Sequence, residues 1–253
     1  MGAVISMQRR RSTRRDRNDL RQYDDLMTQW WRPEGPFAAL HWLAASRRAL
    51  VPAATGPGQI LLDLGCGGGL MADTSAGYVH VGVDLTTSAL VHARGHGLTA
   101  VRGDVSSLPI APATASVVVA GEILEHVLDL DAVVAEICRV LRPGGTVLID
   151  TINDTRFAGI ALVHIAERLP GGPPRHIHDP SLFVDATRLQ RLFAAGGVDL
   201  DVWGLRPSVR DYLRFLVDRR RSVEMVRTRS TAGVYQGVGV KVDVSGAVER
   251  SPS

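Results

Sequence analysis

The sequence feature that most constrains the fold is an apolar stretch that runs directly into a loop of small residues. Residues 60–64 read Ile-Leu-Leu-Asp-Leu, and glycines follow at positions 65, 67, 68 and 69. An apolar run that ends in such a loop predicts a strand buried in a parallel sheet. Glycine lets the backbone approach a ligand closely, and free amide groups at the start of the next helix suit a carboxylate or phosphate. The chain is therefore predicted to be an α/β protein that binds a ligand at this loop.

The spacing of the glycines separates two classes of cofactor. A dinucleotide fingerprint requires glycine at its first, third and sixth positions, whereas the sixth position counted from Gly65 is Leu70. Asp63 lies two residues before Gly65, and the segment resembles the Asp-x-Gly-x-Gly-x-Gly loop of class I S-adenosylmethionine (SAM) methyltransferases. The resemblance implies SAM as cofactor, with Asp63, Gly65 and Gly67 at its site. An NAD(P)-dependent oxidoreductase is disfavoured, and a non-catalytic methyltransferase-like scaffold is a third alternative.

Acidic residues follow the next two predicted strands. A helix predicted at 71–76 leads to a strand at 79–83, and Asp84 follows that strand about twenty residues after the loop. An acid at this point accepts hydrogen bonds from the ribose hydroxyls of an adenosine. After a strand predicted at 99–102, the resemblance implies that Asp104 approaches the adenine. Both aspartates also suit ordinary caps or turns.

An aromatic segment at 19–50 precedes the loop and has helical spacing, which predicts either a packed amphipathic helix or a lid over the site. Its pattern resembles the N-terminal signature of the ubiquinone-biosynthesis O-methyltransferases, although Ala44 and Ala45 replace the Asn-Pro usual in that family. In that family the arginine of the signature contacts SAM, so Arg47 is predicted to pair with the methionine carboxylate, which a guanidinium fits well. The matching residues are Trp30, Trp31, Gly35, Phe37, Leu40, His41 and Arg47.

The strand predicted at 117–120 leads to a cluster of potential ligands. If a helical turn begins here, Glu122, Glu125 and His126 share one face, because they are three and four residues apart. The resemblance implies that this Glu-x-x-Glu-His pattern binds a divalent metal, Mg²⁺ in the family, and that Gly121 borders SAM. Imidazole instead suits Zn²⁺ or Mn²⁺. A structural hydrogen-bonding cluster without metal is the alternative, with Glu122 and His126 still catalytic candidates.

Residues 151–183 interrupt the alternation of strands and helices and are predicted to select the substrate. The stretch 157–166 is largely apolar and too short to span a bilayer, but it could lie on a membrane or contact a prenyl chain. His178, followed by Asp179 and Phe183, matches the His-Asp-x-x-x-Phe pattern of the family. His178 is therefore a candidate general base or substrate contact.

These elements predict a Rossmann-like, seven-stranded class I methyltransferase sheet. Helices cover both faces, an N-terminal helical lid precedes the sheet, and an apolar insertion follows the fifth strand. The predicted domain spans 21–242, between a disordered basic tail at 1–20 and a disordered tail at 243–253. The remaining predicted helices are 88–94, 131–140, 185–195 and 208–221, and the remaining strands are 146–150, 198–205 and 234–242.

The charge and the cysteine content limit which partners and which cellular location are expected. The formal charge is +3, but residues 1–21 hold seven arginines and two aspartates, so the remainder carries about −2. The two cysteines suggest neither a disulfide framework nor a zinc cluster. We expect a cytoplasmic protein with peripheral membrane contact and no nucleic-acid partner. Its expected reaction is O-methylation of a phenolic hydroxyl on a prenylated catechol or hydroquinol, or of another small phenol, quinone or secondary metabolite.

Overall fold

The structure is a computed structural model that describes residues 17–19, 21–72 and 77–243. Its centre is an eight-stranded sheet in the order β3-β2-β1-β4-β5-β8-β6-β7. Strands β1 to β5 are parallel, β8 is antiparallel to β5 and β6, and β7 is antiparallel to β6. The strands are β1 Gln59–Leu64, β2 Tyr78–Asp84, β3 Thr99–Arg102, β4 Ala115–Gly121, β5 Leu141–Ile152, β6 Val198–Pro207, β7 Met225–Thr228 and β8 Val234–Lys241.

The predicted α/β class is confirmed, but the predicted count of seven strands is wrong by one. The additional strand is β7, an edge strand of four residues. Its sequence, Met-Val-Arg-Thr, is too short for a period-2 pattern to emerge, and only its pairing with β6 identifies it as a strand.

Helices and apolar residues cover both faces of the sheet. Leu62 and Val118 belong to one core and Leu61 and Val117 to another, because successive side chains of a strand point to opposite faces. The helices are α1 Arg21–Leu26, α2 Ala38–Arg48, α3 Thr87–Gly95, α4 Leu130–Val140, α5 Arg156–Ala158, α6 Ala186–Ala195 and α7 Val209–Val217.

Side-chain caps explain where several helices begin. The Asp129 carboxylate accepts from the Ala132 amide at the start of α4, and the Asp185 carboxylate accepts from the Arg188 amide at the start of α6. Helix α7 ends at Val217, four residues before the predicted end. Most of the helix predicted at 71–76 lies outside the described residues, because 73–76 are not described.

The apolar insertion is helical but irregular. Helix α5 continues into a π-helix at Gly159–Ile165 and a 3₁₀ turn at Ala166–Arg168. In the described part of the chain, no helix combines the length and apolar character that crossing a bilayer requires.

The parallel strands bring their carboxyl ends to one edge of the sheet. Asp63 lies near the end of β1, Asp84 ends β2, and Gly121 ends β4. Open α/β sheets bind ligands at this edge.

Candidate active site

A cavity of about 1110 Å³ opens at the carboxyl edge of the sheet. All seven residues predicted to bind the cofactor line it, namely Arg47, Asp63, Gly65, Gly67, Asp84, Asp104 and Gly121. The predicted catalytic residues Glu122, His126 and His178 line the same cavity. The fold thus brings residues more than 100 positions apart into one site.

The glycines of the loop make room for side chains as well as for a ligand. Gly65 and Gly67 have φ of 63° and 51°, in the left-handed region that favours glycine. A Cβ atom on Gly67 would lie 2.3 Å from Trp30 Cζ2, and one on Gly65 would lie 2.7 Å from Ile123 Cδ1. Trp30 therefore packs directly on the loop, a use of glycine that the sequence pattern did not reveal.

The aromatic signature forms the cover of this loop. The Trp31 indole donates to the Gly68 carbonyl at 2.9 Å, and the Trp30 carbonyl lies 2.8 Å from His41 Nε2. The ring of Phe37 lies 4.5 Å from that of Trp30. The segment is a packed element, and Trp30 and Phe37 also line the cavity. That it closes over a ligand as a lid stays a prediction.

Asp84 supports the loop from the second strand. Its carboxylate accepts from the Gly67 amide at 2.9 Å and from the Thr86 amide at 2.8 Å. Burial raises the pKa of Asp84 despite these hydrogen bonds. Asp104 lies in an exposed turn, where its carboxylate accepts from the Ser106 amide and hydroxyl, and these bonds lower its pKa.

Arg47 is buried and forms an ion pair with Asp150, which sequence reasoning did not select. Asp150 lies in β5, beside the end of β4, where Asp150 pairs with Gly121. No partner is available for Arg47 Nε within the described structure. An acid at a strand end was the only signal that could have identified Asp150.

The predicted helical face of Glu122, Glu125 and His126 does not form. Glu122 has φ of 53°, and the only helical turn here is the 3₁₀ segment Leu124–His126. Glu122 turns towards Arg47 and Asp150, and burial together with the neighbouring carboxylates raises its pKa well above the ordinary value. The structure therefore does not group the predicted trio, because Glu122 lies outside the cluster of potential metal ligands found among the described residues.

His178 takes the place of Glu122 in that cluster. Ligand atoms of Glu125, His126 and His178 lie within 4.8 Å of one another. Burial raises the pKa of Glu125 to about 7 and lowers the pKa of His126 to about 4 and that of His178 to about 3. Both imidazoles are therefore neutral at pH 7, the form that binds a metal or accepts a proton.

Comparisons with known proteins agree with this geometry. Residues 62–149 match the model of a methyltransferase domain. The chain is 33% identical over 192 residues to a ubiquinone biosynthesis O-methyltransferase of Methylococcus capsulatus, covering 72% of this chain and 81% of the relative. It is 36% identical to the protein of the same name from Paraburkholderia xenovorans, covering 70% and 81%.

The chain belongs to the ubiquinone-biosynthesis O-methyltransferase family. It is thus a SAM-dependent O-methyltransferase, and the NAD(P) alternative is set aside. A SAM-dependent methyltransferase of Thermotoga maritima, described as a possible histamine N-methyltransferase, superimposes with a TM-score of 0.64 at 14% identity, covering 88% of this chain and all of that one. That likeness concerns the fold alone.

In this member of the ubiquinone-biosynthesis O-methyltransferase family, the N-terminal segment completes the site. Arg17 donates to the Glu167 carboxylate at 3.1 Å and to the His178 carbonyl at 2.7 Å. Asn18 lies 2.7 Å from His126 Nδ1, and the Tyr23 hydroxyl lies 3.2 Å from His126 Nε2. Arg17 and Asn18 thus contact the site, although they lie in the segment 1–20 that is predicted to be a disordered tail.

The site holds several buried polar atoms without a hydrogen-bond partner in the described structure. Among cavity-lining residues these are Trp30 Nε1, Arg47 Nε, Glu122 Oε1 and His178 Nδ1. Because buried polar groups are nearly always paired in native proteins, such a concentration fits a site that binds a polar ligand. SAM, which carries a carboxylate, an ammonium and ribose hydroxyls, fits this requirement.

Proposed function

We propose that the chain transfers the methyl group of SAM to a phenolic hydroxyl of a polyprenylated catechol or hydroquinol. The observation that carries the proposal is the single cavity, which combines the SAM-binding edge with apolar walls from the insertion and from α7. Leu162 and Leu169 contribute from the insertion, and Tyr212 and Leu213 from α7. Its volume of about 1110 Å³ is at the upper limit for small-molecule sites. Such a cavity has room for the cofactor and for an apolar acceptor.

The residues at the sheet edge would bind and orient the donor. Asp84 would accept from the ribose hydroxyls, Asp104 and the neighbouring turn would border the adenine, and Arg47 would pair with the methionine carboxylate. SAM supplies a methyl group already activated by its sulfonium, so the protein mainly aligns the two reactants and excludes water. Trp30 and the rest of the aromatic cover would provide that exclusion.

The residues predicted as catalytic would act on the acceptor hydroxyl in different ways. Burial and the neighbouring carboxylates raise the pKa of Glu122, which favours its protonated form, and in that form it would donate a hydrogen bond to the acceptor. The neutral imidazoles of His126 and His178 would accept the hydrogen bond and then the proton of the hydroxyl. Because burial lowers the pKa of both, they are weak bases.

A divalent ion would compensate for these weak bases, and Glu125, His126 and His178 could hold it. Glu125 Oε1 and His178 Nδ1 have no hydrogen-bond partner among the described residues, whereas His126 would have to release Asn18 or Tyr23. An ion at this point lowers the pKa of a nearby hydroxyl. Two imidazoles and one carboxylate suit Zn²⁺ or Mn²⁺ better than the Mg²⁺ implied by the family.

The metal proposal is tested by calorimetry on metal-free protein. We expect Mn²⁺ to bind more tightly than Mg²⁺, and Glu125→Gln and His178→Gln each to weaken Mn²⁺ binding at least tenfold. Glu136→Gln, a change at a carboxylate paired with Arg139, is the control. Equal Mn²⁺ binding by all variants would contradict the assignment.

A lipid surface would deliver such an acceptor. Exposed apolar side chains lie on the insertion, including Phe157 and Ile160, and on α7, including Leu213 and Val217. Residues 206–229 hold eight arginines against three acids, and an apolar face beside basic residues favours an anionic bilayer. We therefore propose peripheral contact through these two elements, which border the cavity.

Sedimentation with vesicles tests this contact. The variant Leu213→Ser/Val217→Ser should lose binding to phosphatidylglycerol vesicles, whereas Val91→Ser, an exposed valine on α3, should bind like the unmodified protein. Phosphatidylcholine vesicles should bind weakly in every case. Unchanged binding by the α7 variant would remove α7 from the proposal.

The acceptor itself is tested by methyl-labelled SAM and organic extraction. A prenylated catechol should carry the label into the organic phase, at a rate well above that of its short-chain analogue. Labelling of water-soluble phenols alone would support the alternative of another small phenol, quinone or secondary metabolite. Saturating S-adenosylhomocysteine that produces neither heat nor a change in Tm would contradict the donor site.

A further inference from the structure

We infer that Asp150 and Gly121 are positioning residues that clamp Arg47 in the orientation needed to bind the carboxylate of the donor. The inference rests on the proposed donor site and concerns how that site selects its ligand. Neither residue would touch the acceptor. Their effect on the donor would pass through one guanidinium.

Gly121 packs against the guanidinium of Arg47. A Cβ atom at this position would lie 2.3 Å from Arg47 Cζ and 2.4 Å from both Nε and Nη1. The guanidinium therefore lies flat against the Gly121 backbone, and any larger residue displaces it. Gly121 has no positive φ, so a substitution here acts through this contact and not through backbone strain.

Asp150 fixes one end of the Arg47 guanidinium through an ion pair. Its Oδ1 accepts from Arg47 Nη1, and both side chains are buried. Gln236 Nε2 donates to Asp150 Oδ2 at 3.5 Å, and the Ser46 hydroxyl donates to Gln236 Oε1 at 3.2 Å. Asp150 is thus held from β8 and α2 at once, so its position does not depend on a ligand.

The clamp leaves the Nε donor of the guanidinium without a partner in the described structure. This Nε is buried, while Arg47 lines the cavity together with Gly65 and Asp84. A planar guanidinium offers donors in a fixed fork, so fixing Nη1 on Asp150 orients the remaining donors as well. These donors suit a carboxylate.

Other acids near Arg47 explain why the clamp is needed. Glu122 and Asp63 also interact electrostatically with Arg47. Without Asp150, the guanidinium would be drawn towards these groups and away from the cavity. Loss of Asp150 is therefore expected to weaken carboxylate binding even though it removes a competing negative charge.

The experiment compares two adenosine ligands by calorimetry on the full chain. S-adenosylhomocysteine carries the amino-acid carboxylate, and 5′-methylthioadenosine has the same adenosine and a thioether but no carboxylate. Gly121→Ala and Asp150→Asn should each weaken S-adenosylhomocysteine binding at least tenfold and change methylthioadenosine binding less than twofold. Arg47→Met should remove the preference entirely, and adding Gly121→Ala to it should cause no further loss.

Matched controls separate positioning from general damage. Gly95→Ala places a methyl group in open space, and Asp131→Asn alters an exposed ion pair with Arg188. Both should bind the two ligands like the unmodified protein. If Gly121→Ala does not fold, the test uses Asp150→Asn and Asp150→Glu instead. Asp150→Glu should then retain part of the preference for S-adenosylhomocysteine over 5′-methylthioadenosine.

Three results would overturn the inference. One is an unchanged ratio of the two affinities in Gly121→Ala and Asp150→Asn. Another is tighter S-adenosylhomocysteine binding by Asp150→Asn, which would show that Asp150 competes with the ligand. The third is an unchanged ratio in Arg47→Met. An unmodified protein that binds neither ligand would instead contradict the proposed function.

Discussion

The donor and acceptor sides of the cavity are built in different ways. On the proposed donor side, consecutive strand ends supply most of the ligand-binding groups, and the contact from Gly67 N to Asp84 spans only 17 residues, whereas the Arg47–Asp150 pair spans 103. On the acceptor side, Arg17 contacts His178 across 161 residues, and Asn18 contacts His126 across 108. The donor side is thus determined by motifs, whereas the acceptor side requires three distant segments to meet.

This difference indicates which side can change without affecting the other. The donor side depends on backbone geometry in the sheet, which tolerates little change. The acceptor side depends on side chains of the N-terminal segment and the insertion, which are linked to each other by hydrogen bonds from Arg17 and Gln22. Acceptor specificity can therefore vary while the donor site is retained.

The largest expected effect comes from Gly67→Ala, which alters the donor side alone. The methyl group meets Trp30, and φ of 51° adds strain. We expect at least about tenfold weaker S-adenosylhomocysteine binding, or about 1.4 kcal/mol, and a Tm lower by roughly 2–4 °C for each kcal/mol of lost stability.

Gly58→Ala is its control, because Gly58 has φ of 75° with nothing within 4 Å of the added atom. It carries the strain without the contact and should keep full affinity. Equal losses in both variants would show that Trp30 does not depend on the glycine.

A pH-dependent effect is expected at Glu125, where the two sides meet. Its pKa is raised to about 7 in the folded state by burial, so the folded chain binds more protons than the unfolded chain between the two pKa values. The contribution of Glu125 to the free energy of unfolding should therefore fall as pH rises from about 4.5 to about 7, opposite in sign to the contributions of His126 and His178, whose pKa values burial lowers. Glu125→Gln should remove this falling contribution, as measured by the difference in urea unfolding between the variant and the unmodified protein in metal-free buffer.

The contribution of Glu136 to the free energy of unfolding should depend on pH with the opposite sign, and Glu136→Gln tests this. Hydrogen bonds from Arg139 lower the pKa of Glu136, so its contribution to stability is present above its ordinary pKa and is lost as pH falls. This variant should lose stability at neutral pH. A Glu125→Gln variant with the slope of the unmodified protein would contradict the burial of an ionisable Glu125.

The smallest expected effect comes from Arg17→Ala, on the acceptor side. Glu167 is buried and would lose its charged partner, so we expect about 1–2 kcal/mol lower stability and a several-fold higher KM for the acceptor. The Kd for S-adenosylhomocysteine should not change. Arg188→Ala breaks an exposed pair with Asp131 and should cost less than about 0.5 kcal/mol. A changed donor Kd in Arg17→Ala would show that the two sides are coupled.

The sequence by itself determined the fold class and identified the residues that are proposed to bind the donor. Asp63, Gly65, Gly67 and Asp84 could be recognised because each lies at a fixed distance from a strand end, and parallel strands bring their ends together. The family signature around Trp30 and Arg47 was visible for the same reason, as a local pattern.

Only the tertiary structure decided the partners of these residues. Asp150 beside Arg47, His178 in place of Glu122, and Asn18 against His126 all depend on contacts between distant segments. Strand β7 likewise exists only through its pairing with β6. Sequence spacing specifies which residues share a strand or helix face, but packing and burial specify which faces meet, and they are properties of the whole folded chain.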